Sequence, residues 1–186
     1  QKYGAVMSHV KIAASAAQVH VARLGTGDAR LVIGCDLVVS ASGDALDKMN
    51  AGRTRAVVNG TTSPTAAFVR NPDWQLPGSN LAHDIAEACG GRNAEFVPAA
   101  QIATALMGDS IATNMFMLGY AWQKGWVPLG RESIERSIEL NGVAVEFNRQ
   151  SFLWGRRAAV DLEQVRRIAQ PADVIPIEQH FSRNLQ

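Results

Sequence analysis

The 186-residue sequence predicts an α/β fold, with a parallel or mixed sheet first and a run of helices at its C-terminal end. Three observations predict it. Short apolar runs rich in Val and Ile precede residue 100, and the hydrophobic period becomes helical from Ala99 onward. Gly, Pro, Asn and Asp punctuate the runs between them.

Val6, Ser8, Val10 and Ile12 alternate with Met7, His9 and Lys11, so residues 6–13 read as a half-buried strand. Residues 19–24 repeat the alternation, and Gly25-Thr26-Gly27-Asp28 closes them as a turn. Leu31-Val32-Ile33 leads through Gly34-Cys35-Asp36 into Leu37-Val38-Val39-Ser40. That second run is continuous and β-branched, as a strand buried on both faces should be. A short helix over residues 43–49 and a strand over 56–59 follow, which makes a compact βαβ unit with parallel strands and a right-handed crossover. Open α/β sheets place ligands beyond the carboxyl ends of their strands, so residues 40–44 and 59–63 are the segments to watch.

A Pro-, Asn- and Asp-rich loop covers residues 62–79, and Asn80 is positioned to cap a helix over 81–88 that Gly90-Gly91 halts. Residues 94–97 give one more short strand before Pro98. Beyond it, Ile102 and Leu106 share a helix face, and Ile111, Met115, Leu118 and Trp122 form the apolar stripe of a second helix ended by Gly125. Residues 133–140 form a third helix with Ile134 and Ile138 inward. Val143, Phe147, Ser151, Trp154 and Ala158 mark a fourth, and Asp161 caps a last short one up to Ala169. The four tryptophans (Trp74, Trp122, Trp126, Trp154) could form a docking face, although their helical spacing fits an internal core better.

Composition narrows the function. The net charge of +1, from 18 basic and 17 acidic residues spread along the chain, argues against a nucleic-acid or membrane surface. Arg156-Arg157 and Arg166-Arg167 read as a solvated helix face rather than a phosphate patch. Two distant cysteines, Cys35 and Cys89, supply neither a disulfide framework nor a zinc or iron–sulfur ligand set, and read as small buried hydrophobes. The four histidines (His9, His20, His83, His180) are scattered, so no metal site is expected. No signal-peptide pattern and no apolar run near 18 residues occurs, which points to a cytoplasmic protein. The opening at Gln1, without an initiator Met, reads as a piece of a longer polypeptide or as a chain whose first residues lie outside it.

No catalytic constellation stands out. Gly-x-Ser-x-Gly is missing, and no three-glycine fingerprint joins a strand to a helix, so a nucleotide site on this chain alone is not expected. Gly108-Asp109-Ser110 with Asn114 superficially resembles a thiamine diphosphate motif, but its asparagine follows too soon. Asp109 reads as a helix cap.

Three stretches together resemble one family, the gamma domains of 2-oxoacid:ferredoxin oxidoreductases, closest to the indolepyruvate branch. The first is Gln1-Lys2-Tyr3-Gly4-Ala5-Val6-Met7-Ser8-His9-Val10-Lys11-Ile12, where the branch typically reads Gln-Lys-Gly-Gly-Ala-Val and then Ser-His-Val; Tyr3 replaces a glycine. The second runs from Gly34-Cys35-Asp36-Leu37-Val38-Val39 through Val57-Val58-Asn59. The third is Asn114-Met115-Phe116-Met117-Leu118-Gly119-Tyr120-Ala121-Trp122-Gln123-Lys124-Gly125, with Pro128 and Ile134-Glu135.

The resemblance implies a Rossmann-like three-layer α/β/α domain over residues 1–160, short of its first βα unit, with 161–186 as an extension or a link to a further domain. It implies an enzyme that oxidatively decarboxylates a 2-oxoacid to an acyl-CoA and passes electrons to ferredoxin. Thiamine diphosphate, Mg and 4Fe–4S clusters are expected in partner domains, and none in this chain alone; CoA is a possible partner, nucleic acid and membrane are not. No catalytic residue is expected here. Lys2, Gly4, Ser8, His9, Asp36 and Asn59 are the expected substrate- or CoA-facing residues, although Lys2 reads equally as a solvated strand-end lysine. The alternatives are a docking domain without ligand contact and a stand-alone Rossmann-like enzyme using a nicotinamide cofactor.

Overall fold

The structure, a computed structural model, describes residues 5–60 and 77–170. Strands β1 (Leu31–Gly34), β2 (Arg55–Asn59) and β3 (Ala94–Val97) form a parallel sheet in the order β1-β2-β3, with Ile33 beside Val57 and Val57 beside Glu95. Helices α1 (Leu37–Ser40) and α2 (Gly43–Leu46) connect β1 to β2, and α3 (Pro77–Cys89) precedes β3. Five helices follow: α4 (Ala99–Met107), α5 (Thr113–Gln123), α6 (Arg131–Asn141), α7 (Val145–Val160) and α8 (Leu162–Ala169).

The central strand explains the layers. Ala56, Val57 and Val58 are all fully buried, so both faces of β2 are covered. Ala56 and Val58 meet Met49, Ile85 and Cys89, which places α3 on one face. Val57 meets a larger core of Ile102, Phe116, Met117, Ala121, Ala158 and Val165, drawn from α4, α5, α7 and α8. The result is the Rossmann-like α/β/α arrangement with a helical C-terminal end. Burial pushes the Cys89 thiol up to about 11, in keeping with its place as a core hydrophobe beside Met49.

Three expected strands are not strands. Residues 6–13 and 19–24 carry the alternation but form no ladder, and Val6, Val10 and Val21 stay exposed. A period of two gives a strand only where a partner supplies the hydrogen bonds. Leu37-Val38-Val39-Ser40 is a helical turn, because the Asp36 carboxylate accepts from the Val39 N–H (2.8 Å) and caps it. Leu37 and the buried Ser40 turn inward there, while Val38 is exposed. The βαβ unit therefore begins at Leu31, six residues earlier than its β-branched run suggests.

Smaller differences concern the helices. The third begins by Pro77, so Asn80 lies inside it rather than capping it. The stripe expected to face inward on α5 is half-buried toward α6 at Met115, Leu118 and Trp122, while Ile111 is exposed. Phe116, Met117 and Tyr120 form its buried side instead. Asp109 caps the 3-10 turn Ser110–Ala112 that leads into α5, its Oδ1 accepting from Ile111 N–H, and Asp161 caps α8 through Gln164 N–H. Of the tryptophans, Trp122 packs on Phe152 at 5.9 Å and Trp126 and Trp154 border the main core; Trp74 lies outside the described residues.

The tightest contact joins α5 to α7. A methyl group on Gly119 would overlap the Phe152 carbonyl, and one on Gly155 would overlap the Phe116 carbonyl. The two helices thus meet backbone to backbone through the same Phe-x-x-Gly spacing on each. Glu95 ties α5 to the sheet: it accepts from the Tyr120 hydroxyl (2.7 Å) and pairs with Lys124 (3.0 Å). Burial, with the Glu95 carboxylate added, raises the Tyr120 phenol well above its ordinary value, so it remains a donor.

Replacing Gly155 by Ala is expected to destabilise the protein by about 3 kcal/mol, because the backbone on both sides cannot yield. Gly43, with open space around its Cα, should tolerate Ala within about 1 kcal/mol. Denaturant titration of the two variants checks the contrast; equal effects would remove the packing explanation.

Candidate functional site

The carboxyl end of β1 is shaped by a glycine. A side chain on Gly34 would overlap the Ser40 hydroxyl and crowd Val58, so only glycine lets α1 fold back over the strand end. Asp36 then caps α1, and the Ser40 hydroxyl donates to the Asp36 carbonyl. This sharp turn leaves an opening between the free edge of β1 and the N-terminal segment.

A cavity of about 590 Å³ occupies that opening. All four residues of β1 line it. Successive side chains of a strand point to opposite faces, so a cavity touching all four lies along the sheet's edge. Its polar lining comes from Ser8 and His9 on one wall and from Asp36, Ser40, Lys48 and Asn114 on the other side. Lys48 is paired with Asp47 (2.7 Å) at the rim. The half-buried Cys35 thiol also lines it, and burial holds that thiol above its ordinary value, so it is protonated near neutrality.

The opposite wall is held by a histidine. The Leu24 N–H donates to His9 Nδ1 (2.9 Å), tying residues 6–12 to the end of the second extended segment. Without this bond neither segment has a ladder to hold it.

Of the six expected ligand-facing residues, the structure brings Ser8, His9 and Asp36 together at one cavity, across almost 30 positions of sequence. Lys2 and Gly4 lie outside the described residues. Asn59 is used differently: its Nδ2 donates to the Cys35 carbonyl (3.1 Å) and its Oδ1 accepts from the Ala100 N–H (2.9 Å). It staples the end of β2 to the loop after β1 and to the start of α4. Lys48 and Asn114 join the lining without having been singled out as ligand-facing. Asn114 had a sequence signal as the start of the third resembling stretch and in a misplaced thiamine motif, neither of which marked it as ligand-facing, and Lys48 had none.

A second cavity of about 430 Å³ lies between α7 and α8. Its two arginines are engaged, Arg156 over Trp122 (4.8 Å) and Arg157 over Trp154 (4.7 Å), which accounts for this basic pair by cation–π packing. Among the described residues no three His, Cys, Asp or Glu side chains gather closely enough to hold a metal ion, and no helix is long and apolar enough to cross a membrane. The donor set does not fit an iron–sulfur cluster: the two thiols are held protonated by burial and sit in different surroundings.

Replacing Asn59 by Ala should cost about 1–3 kcal/mol, since the Ala100 N–H and the Cys35 carbonyl both lose their partner. A melting curve of the variant checks this, and an unchanged midpoint would show that the staple is dispensable.

Residues 1–158 match the family model described as pyruvate ferredoxin/flavodoxin oxidoreductase. No curated protein and no solved structure matches the chain.

Proposed function

Because the chain belongs to the pyruvate ferredoxin/flavodoxin oxidoreductase family, we propose that it is the gamma-type component of an enzyme that oxidatively decarboxylates a 2-oxoacid of the aryl-pyruvate type to its acyl-CoA. The proposed unit spans residues 1–160 and is followed by an extension or link over 161–186. The first helix of that extension, α8, packs on α4 and α7 and buries Val165. Thiamine diphosphate, Mg and 4Fe–4S clusters belong, on this reading, to partner domains, with ferredoxin as the electron acceptor of the whole cytoplasmic enzyme.

The single observation that carries a ligand-facing role is the edge cavity, where Ser8, His9 and Asp36 converge. Its mixed lining, an apolar strand with a few polar groups on the walls around it, has the character of a small-molecule subsite. What such a wall contributes is positioning: it shields the reacting carbon from water and orients an anionic substrate or CoA while the chemistry proceeds elsewhere. Asp36 supplies a negative charge at the lining, Ser8 a hydroxyl and Lys48 a positive charge at the rim. Lys2 adds a second positive charge in the proposal.

A docking role without ligand contact is the second reading, and the exposed Val6, Val10 and Val21 favour it. Kinetics on the complete enzyme separate the two. Asp36→Asn keeps the helix cap, since Asn caps as well as Asp, but removes the charge. That variant, and Lys2→Ala, should each change the KM for the 2-oxoacid or for CoA by about tenfold, equivalent to about 1.4 kcal/mol. If both constants stay as in the wild type while the complex assembles normally, the docking reading holds and the subsite is lost.

A further inference from the structure

The bond between His9 and Leu24 has a direction that matters. A backbone N–H can only donate, so the imidazole must present Nδ1 as a lone pair. An imidazolium carries hydrogen on both nitrogens and has no lone pair to offer. Protonation would therefore turn a 2.9 Å hydrogen bond into two donors facing each other.

Among the described residues little else holds that wall. Residues 6–12 and 19–24 form no ladder, and most of their apolar side chains are exposed rather than packed. Charged groups near the bond include Lys11 on the same segment, Arg23 next to Leu24, Asp28, whose Oδ2 accepts from the adjacent Gly25 N–H (3.1 Å), and Asp36 and Lys48 from the cavity's other side. Of these Asp28 and Asp36 are acceptors, and each already receives a backbone N–H, from Gly25 and from Val39.

We infer that His9 is a proton-operated latch on the edge cavity: neutral, it holds the N-terminal wall against Leu24; protonated, it releases that wall and opens the cavity's side. Imidazole is the side chain whose ordinary charge change lies between about pH 5 and 8. The wall that moves contains Ser8, one of the groups proposed to face the substrate, and the consequence for catalysis rests on that reading. The latch itself does not.

Hydrogen–deuterium exchange at the Leu24 amide, corrected for the intrinsic pH dependence of exchange, tests it in the intact protein without any ligand. Protection in the wild type should fall about tenfold between about pH 8 and pH 5.5. In His9→Asn, the amide oxygen takes the place of Nδ1 and cannot titrate in this range, so protection should stay high at both values. In His9→Phe the acceptor is gone, and protection should be low at both. A wild-type protection that does not change with pH, or a pH-dependent loss that persists in His9→Asn, would overturn the latch. Because no substrate enters the measurement, its failure leaves the Asp36 and Lys2 kinetics to judge the subsite separately.

Discussion

Two glycines on facing helices set the geometry of this domain. Gly119 of α5 lies against the Phe152 carbonyl of α7, and Gly155 of α7 lies against the Phe116 carbonyl of α5. Each glycine in a helix interior costs about 1 kcal/mol in helix propensity relative to alanine. The sequence accepts that cost twice within one contact. In return the backbones meet directly, where glycine Cα–H groups can face carbonyl oxygens. Phe116, fully buried, then reaches the core over Val57, while Phe152 closes the smaller cluster with Ile134 and Ile138. Were the helices held further apart, both rings would lose the contacts that fix them.

The sheet depends on that seat. Its β2 is apolar on both sides and only four to five residues long, as its neighbours are. Such a small parallel sheet is stable only when both faces are covered. The α5–α7 pair covers one face together with α4, and Tyr120 on α5 and Lys124 just past its end grip Glu95 at the far strand. At the other end of the strands, Asn59 fastens the loop after β1 to α4. The cavity is therefore bordered by one rigid wall and one loose one. The rigid wall is β1 with its glycine-shaped turn; the loose one is a pair of extended segments joined through an imidazole.

Much of this was legible in the sequence for physical reasons. The buried run 56–58 announced a central parallel strand, and Ile134 and Ile138 announced the inward face of α6. The caps at Asp109 and Asp161 were readable because the interaction is local. The strand errors arise where β-branched composition or alternation was weighted above the hydrogen bonds that decide the backbone. Val38-Val39 looks like strand, but a carboxylate three residues before Val39 decides for helix. Residues 6–13 look like strand, but alternation says nothing about whether a partner is present. At the site, Ser8, His9 and Asp36 were read from their place in a resembling stretch, whereas Lys48 enters the lining through a tertiary fold-back that no local pattern records. The crossing of α5 and α7 could have been suspected from the repeated Phe-x-x-Gly, although only the structure shows the two copies facing each other.

The reciprocity of that crossing is the claim on which the account stands, and a double-mutant cycle tests it most directly. If both glycines serve a single close approach, the first alanine already forces the helices apart and the second meets open space. The double variant Gly119→Ala with Gly155→Ala should then be less stable than the worse single variant by no more than about 1 kcal/mol. Denaturation free energies that simply add would contradict the account, for they would mean that the two glycines act as independent sites.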